Sequence, residues 1–196
     1  MTAIDNKPSI VILISGRGSN MESIVNAMNS GSLDVCIATV ISNRPDAAGI
    51  IFAKQQGIKI SVIDHKKFKT AEQFDRALLN EIDQFSPDLV VLAGFMRILT
   101  YDFVKYFAGR LINIHPSLLP KFKGLNTHQR AIDAGEKVHG ASVHFVTNEL
   151  DGGSVIMQTH IPILVNDDTA TLAARVLKQE HKLYPNAINK LISSSS

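Results

Sequence analysis

Residues 11–25 read VILISGRGSNMESIV: an apolar run, a loop holding Gly16 and Gly18, and then a segment with helical spacing. A run this short and apolar on both faces suits a strand buried in a parallel sheet with helices on each side. The strand is Ser9–Ile14, and the same texture recurs at Val35–Ile41, Ile58–Ile63, Leu89–Leu92 and Leu111–Ile114. Helical patterns stand between them, over roughly Asn20–Ser30, Asp46–Gln55, Ala71–Phe85 and Tyr101–Phe107. The order is therefore βαβαβαβαβ, and TAEQ at Thr70–Gln73 reads as a capping box that starts the longest of these helices.

After Val138 the texture changes. HGASVHFV and GSVIMQTHIPIL are β-rich and joined by TNELDGG, which predicts mixed or antiparallel strands. Thr169–Lys190 reads as a closing helix, bent or interrupted near Pro185, because proline lacks an N–H and crowds the preceding turn. The expectation is a single α/β domain over residues 8–192, with a mostly parallel sheet, helices on both faces and a β-rich C-terminal part. Residues 1–7 and 193–196 are expected to be loose ends.

Composition narrows the function classes. With 196 residues, 45% of them apolar, the chain can bury one sizeable core. The net charge of +2 comes from scattered Lys and Arg with no basic stripe, which argues against a nucleic-acid partner and leaves a small anionic ligand open. Cys36 is the only cysteine, so no disulfide framework or thiolate metal site can form within the chain, and a reducing, cytoplasmic setting is expected. The apolar stretch Ile10–Ile14 is too short to span a bilayer, so no membrane association is expected.

The loop SGRGSN follows a strand and opens a helix, where unpaired N–H groups and the helix dipole favour an anion. A dinucleotide fingerprint would place a third glycine at position 21, which is Met21, and the second strand ends in ISNRPD without an acidic ribose ligand. A Walker loop would need Gly-Lys-Ser/Thr, which is missing here. Two readings stay open: a phosphate cradle, or a tight turn with Ser19 and Glu22 as a capping box.

The stretch RLINIHPSLLPKFKG places Asn113 and His115 at the end of a buried strand, alternating with Ile114 and so leaving the same face. Open α/β sheets bind ligands at these strand ends. There His115 can donate to a developing oxyanion with Asn113 as a second donor, or His115 can cap the turn before Pro116 while Asn113 bonds backbone. Asp151, in VHFVTNELDGG, can pair with an imidazole and accept a proton, or simply serve an Asp-Gly-Gly turn.

Together ISGRGSN, VLAGFMRIL, NIHPSLLPKFKGLNTH, GASVHFV, ELDGG and QEHKLYP resemble the folate-dependent glycinamide ribonucleotide transformylases, also called phosphoribosylglycinamide formyltransferases. The resemblance covers nearly all of Ser9–Pro185 and implies the Rossmann-like formyltransferase fold. The Asn-x-His-Pro-Ser-Leu-Leu-Pro segment is shared with other formyl-folate enzymes, whereas the glycine loop and chain length point to the purine enzyme. The implied activity is formyl transfer from 10-formyltetrahydrofolate to the amino group of glycinamide ribonucleotide, with no metal, by a monomer or homodimer.

The same resemblance implies Asn113, His115 and Asp151 for chemistry, with His144 supporting; a half-buried strand histidine is the plainer account of His144. It implies Gly18, Ser19 and Asn20 on the substrate phosphate and Glu180 on the ribose. Met96, Arg97, Ile98, Leu99, Asn113, Val146 and Thr147 would line the folate site, with Arg97 and Leu99 acting largely through backbone. Asp167–Asp168 reads as a helix start and not as metal ligands, and Ser117 has no base that would make it a nucleophile.

Two positions depart from the family pattern. Ala71 stands where some members carry an arginine near the folate glutamate tail, with Lys67 or Lys69 as possible substitutes, and Asn126 replaces a histidine. Three other readings compete. A formyltetrahydrofolate hydrolase would carry an extra N-terminal domain, but the first strand begins at Ser9. A methionyl-tRNA formyltransferase would carry a C-terminal domain, but the chain ends with its closing helix. A degenerate binding module would not need Asn113, His115 and Asp151 together.

Overall fold

A computed structural model describes residues 7–193. The strands are β1 (Ser9–Ile14), β2 (Cys36–Ser42), β3 (Ile60–Val62), β4 (Leu89–Leu92), β5 (Leu111–His115), β6 (Val138–Phe145) and β7 (Val155–Pro162). The helices are α1 (Ser19–Asn29), α2 (Gly49–Gln55), α3 (Ala71–Asp83), α4 (Tyr101–Tyr106), α5 (Thr127–Asp133) and α6 (Thr169–Ser193). All seven strands form one sheet in the order β3-β2-β1-β4-β5-β6-β7. The first five pair in parallel; β6 runs antiparallel to β5 and β7 antiparallel to β6, as the β-rich C-terminal texture predicts.

Side chains alternate across the sheet, and β1 shows what this does. Ile10, Ile12 and Ile14 enter a core with Met21, Ile24 and Val25 of α1, Ala53 of α2, and Leu172, Val176 and Tyr184 of α6. Val11 and Leu13 enter the opposite core with Phe74, Leu78 and Ile82 of α3 and Phe103 and Val104 of α4. Both faces are thus covered, which is why the strand sequences are apolar throughout. The chain first builds outward from β1 through β2 to β3, then returns to lay β4 on the other side of β1. That reversal opens a crevice at the strand ends between β1 and β4.

Several elements differ from expectation. β3 is three residues long and α2 begins at Gly49, later than Asp46. A short 3-10 turn over His65–Lys67 and the helix α5 are additions. The α6 helix runs through Pro185 without a break, so the expected interruption does not occur. Tyr184 and Pro185 are buried against the sheet, and the Tyr184 hydroxyl donates to the carbonyls of Leu92 (2.9 Å) and Ile112 (3.3 Å), so tertiary packing holds the helix where propensity alone would end it.

The α3 start matches the capping reading at Thr70, whose Oγ1 accepts from the Gln73 N–H (3.3 Å), while the Gln73 Oε1 accepts from Lys69 N–H (3.1 Å), one residue before the N-cap N–H that a full capping box would use. Lys7 pairs with Asp34 (3.0 Å) and Ser193 closes α6; the remaining expected loose ends, 1–6 and 194–196, lie outside the described residues. Among the described residues no helix is long and apolar enough to cross a membrane.

Candidate active site at the strand ends

The glycine loop sits at the end of β1. Gly18 has φ +76° and serves as the α1 N-cap, with no side-chain cap; the Glu22 N–H bonds the Gly18 carbonyl (2.8 Å). The Ser19–Glu22 capping box is therefore not formed. A Cβ on Gly18 would meet Met21 Cε at 3.0 Å and Gly49 Cα at 3.2 Å, so both conformation and space demand glycine. The N–H groups of Gly18, Ser19 and Asn20 find no protein acceptor among the described residues, as the first turn of a helix requires if an anion is to use them.

Asn20 connects this loop to α6. Its Nδ2 donates to Glu180 Oε2 at 2.7 Å, and its Oδ1 is buried without a partner among the described residues. Burial pushes the Glu180 carboxyl above its ordinary pKa, and the Asn20 bond works against that rise. Ser15 ties the loop to the turn after β4: its N–H donates to Gly94 O (3.2 Å) and its Oγ accepts from Met96 N–H (2.7 Å). In that turn Met96 is 75% and Ile98 82% exposed, while Leu99 is half-buried. Large apolar side chains held out in solvent at the mouth of a crevice are suited to a flat ligand. Arg97 lays its guanidinium 4.7 Å over the Phe74 ring, beside a buried Asp75 whose pKa burial raises.

Asn113 and His115 lie one strand further along, on β5. Antiparallel register sets Asn113 opposite His144 and His115 opposite Ser142. Asn113 Nδ2 donates to His144 Nε2 (3.3 Å), and His144 Nδ1 donates to the Phe145 carbonyl (2.9 Å). Burial holds His144 below the ordinary imidazole pKa, opposed by the Phe145 carbonyl and the Asp151 charge. It is fully buried, not half-buried. A neutral His144 with its hydrogen on Nδ1 presents a lone pair from Nε2, so its 3.6 Å approach to Asp151 Oδ1 is not an ion pair.

Asp151 reaches the site from the β6–β7 connection. Its φ is +49°, a region asparagine and aspartate tolerate better than most residues. A Cβ on Gly153 would lie 1.8 Å from Phe145 O, which explains the second glycine of the pair. Asp151 Oδ2 accepts from Gly124 N–H (2.9 Å) and stands 3.4 Å from His115 Nδ1; both side chains are largely buried. His115 Nε2 donates to the Phe122 carbonyl at 2.9 Å. One oxygen of Asp151 is thus committed to the loop and to His115, whereas Oδ1 has no donor bound to it among the described residues.

The structure brings Asn113, His115, His144 and Asp151 together, and separately Gly18, Ser19, Asn20 and Glu180. Val146 extends β6 toward the site, its N–H on Leu111 O (2.9 Å), and Thr147 is exposed. A cleft of about 460 Å³ joins the glycine loop to Gly94–Arg97; Asn113, His115, His144 and Asp151 lie beyond its lining. Ser117 Oγ is spent on Lys121 O (2.6 Å), and Asp168 Oδ1 caps α6 through Thr171 N–H (2.8 Å). Asn126 is the α5 N-cap at φ +56°, a conformation its side chain suits. Sequence reasoning missed the backbone of Phe122 and Gly124, since only the fold shows which carbonyl and N–H reach the site. It also missed the His128–His139 pair, Nδ1 to Nε2 at 3.1 Å, although both histidines are visible in the sequence.

The formyl transferase family model matches residues 8–188. The chain is similar to phosphoribosylglycinamide formyltransferase of Escherichia coli (strain K12), 49% identical over 181 residues that cover 92% of this chain and 85% of the relative. The enzyme of the same name from Haemophilus influenzae is 46% identical, covering 91% and 84%. Among solved structures, the phosphoribosylglycinamide formyltransferase of Coxiella burnetii superposes with a TM-score of 0.90 at 47% identity, covering 94% of this chain and 86% of that one. By sequence and by fold, the chain belongs to the formyl transferase family.

Proposed function

We propose that the protein transfers the formyl group of 10-formyltetrahydrofolate to the amino group of glycinamide ribonucleotide, in purine biosynthesis. The observation that carries this reading is the pairing of His115 with Asp151 beside Asn113 and His144, at strand ends adjoining a glycine loop with unpaired N–H groups.

The bound donor supplies the formyl carbon. Gly18, Ser19 and Asn20 hold the substrate phosphate, and Glu180 the ribose hydroxyls, so that the amine is delivered toward β5. As the amine nitrogen bonds to that carbon, charge develops on the formyl oxygen. Asn113 meets it with the Nδ2 hydrogen not used by His144, and His115 meets it with a ring N–H. As placed, His115 Nε2 serves Phe122 O, so donation to substrate exchanges that carbonyl for the formyl oxygen.

Asp151 has two tasks for its two oxygens. Oδ2 stabilises a protonated His115, and Oδ1 accepts the proton released by the attacking amine, directly or through water. The carbon–nitrogen bond to the donor then breaks, and the donor nitrogen takes up a proton as tetrahydrofolate leaves.

The test is direct. Incubation with both substrates should yield formylated product and tetrahydrofolate in equal amounts. Tetrahydrofolate release with water as the only acceptor would overturn the transfer reading in favour of hydrolysis.

A further inference from the structure

The loop between β5 and α5 reaches His115 and Asp151 through its backbone. Among the described residues, the stretch from Phe122 to Leu125 makes no backbone hydrogen bond within itself, and Phe122 (φ +55°), Gly124 (φ +78°) and the following Asn126 (φ +56°) alternate in the left-handed region. Its backbone groups meet three partners instead. The Phe122 carbonyl accepts from His115 Nε2 (2.9 Å), the Gly124 N–H donates to Asp151 Oδ2 (2.9 Å), and the carbonyls of Lys123 and Leu125 accept from Arg130 Nη1 at 2.6 and 3.3 Å.

The Lys123 carbonyl and the Gly124 N–H belong to one peptide unit. That unit is planar and trans, so its oxygen and its hydrogen point in opposite directions, and fixing one end aims the other. Arg130 is well placed to fix it. It belongs to α5, whose start is tied back by Thr127 Oγ1 donating to Pro116 O at 2.7 Å. Its guanidinium carbon lies 5.5 Å over the Phe122 ring, and the same ring meets His139 edge to face at 6.2 Å. A cationic donor bonds a carbonyl more strongly than a neutral one, and a planar guanidinium can stack on a ring while it donates.

We propose that Arg130 is a positioning residue for the His115–Asp151 pair: by holding the Lys123 carbonyl on one side of a peptide plane, it aims the Gly124 N–H on the other side at Asp151 Oδ2. Oδ2 is thereby engaged, and Oδ1 stays open to the attacking amine. The neighbouring peptide carries the Phe122 carbonyl, so the same contact sets the acceptor that His115 holds before substrate arrives. Arg130 acts through the backbone and not on the reacting atoms. The inference rests on the transferase reading above.

Arg130→Ala and Arg130→Lys test the assignment. Amide exchange at Gly124, followed by NMR, needs no substrate; kcat and KM for formyl transfer are measured alongside. Loss of one charge-assisted hydrogen bond implies an effect of about tenfold. In Arg130→Ala, exchange at Gly124 should quicken and kcat should fall by about that factor, with KM for both substrates unchanged and the amides of β4 and β5 exchanging as in wild type. Arg130→Lys keeps a cationic donor without the planar fork and should lie between the two. Wild-type exchange at Gly124, or a wild-type kcat, in Arg130→Ala would overturn the proposal. So would faster exchange spread through β4 and β5, which marks a general loss of stability and not a loss of aim. If wild type transfers no formyl group, the transferase reading fails by itself, and Gly124 exchange in the variants still decides whether Arg130 holds the loop.

Discussion

Asp151 Oδ2 lies 3.4 Å from His115 Nδ1 although the two residues belong to different elements, and Asp151 reaches that position only through a backbone at φ +49°. Asparagine adopts the same region, so Asp151→Asn keeps the turn while removing charge and base. The expected loss in kcat is about 10²–10⁴-fold, with binding of both substrates largely retained. His115→Ala should cost a similar amount, and the double variant far less than the product of the two, because the pair acts as a unit. Near-wild-type turnover in Asp151→Asn, with chemistry rate-limiting, would remove Asp151 from the mechanism.

His144 Nε2 holds the Asn113 side-chain amide at 3.3 Å. His144→Leu removes the acceptor that holds Asn113 Nδ2 and should lower kcat by about tenfold, the worth of one hydrogen bond, with little change in KM for either substrate. An equal loss after Asp151→Asn has already been introduced would show instead that His144 works independently of the His115–Asp151 pair. A wild-type kcat in the single variant would mean that Asn113 needs no such support.

Gly18→Ala tests the phosphate cradle. The left-handed backbone costs about 1–2 kcal/mol for alanine, and the new methyl presses on Met21 and Gly49. Denaturant unfolding should register that loss. KM for the ribonucleotide should rise more than KM for the folate donor, and an equal rise in both would place the phosphate elsewhere.

His139 predicts a pH dependence. Burial, reinforced by nearby His128, lowers its pKa from 6.5 to about 4, while the Pro116 carbonyl opposes the shift. Between these values the unfolded chain binds a proton that the folded chain refuses, so stability rises with pH across this window. The contribution is fully present above about pH 6.5 and is lost as the pH falls toward 4. His139→Gln should flatten the dependence of the urea midpoint between pH 4 and 6.5. An unchanged slope would show that other groups set it.

The sequence by itself determined the layered architecture, since strands apolar on both faces must lie between helices, and five such runs stand where β1 to β5 are found. It also determined the start of α3, because Thr70 and Gln73 satisfy backbone groups only a few residues away. It nominated Asn113, His115 and Asp151 through strand-end position and family likeness. Tertiary structure decided the rest. The α5 helix was hidden because it is short and begins at Asn126 in a left-handed conformation, and α6 continues through Pro185 because core packing outweighs a local propensity. The partnership of Asn113 with His144 spans 31 residues and depends on strand register, and the atoms that hold His115 and Asp151 are the backbone of Phe122 and Gly124. A one-residue slip in register would turn His144 to the other face, and backbone groups carry no residue-specific signal, so only the folded chain specifies these contacts.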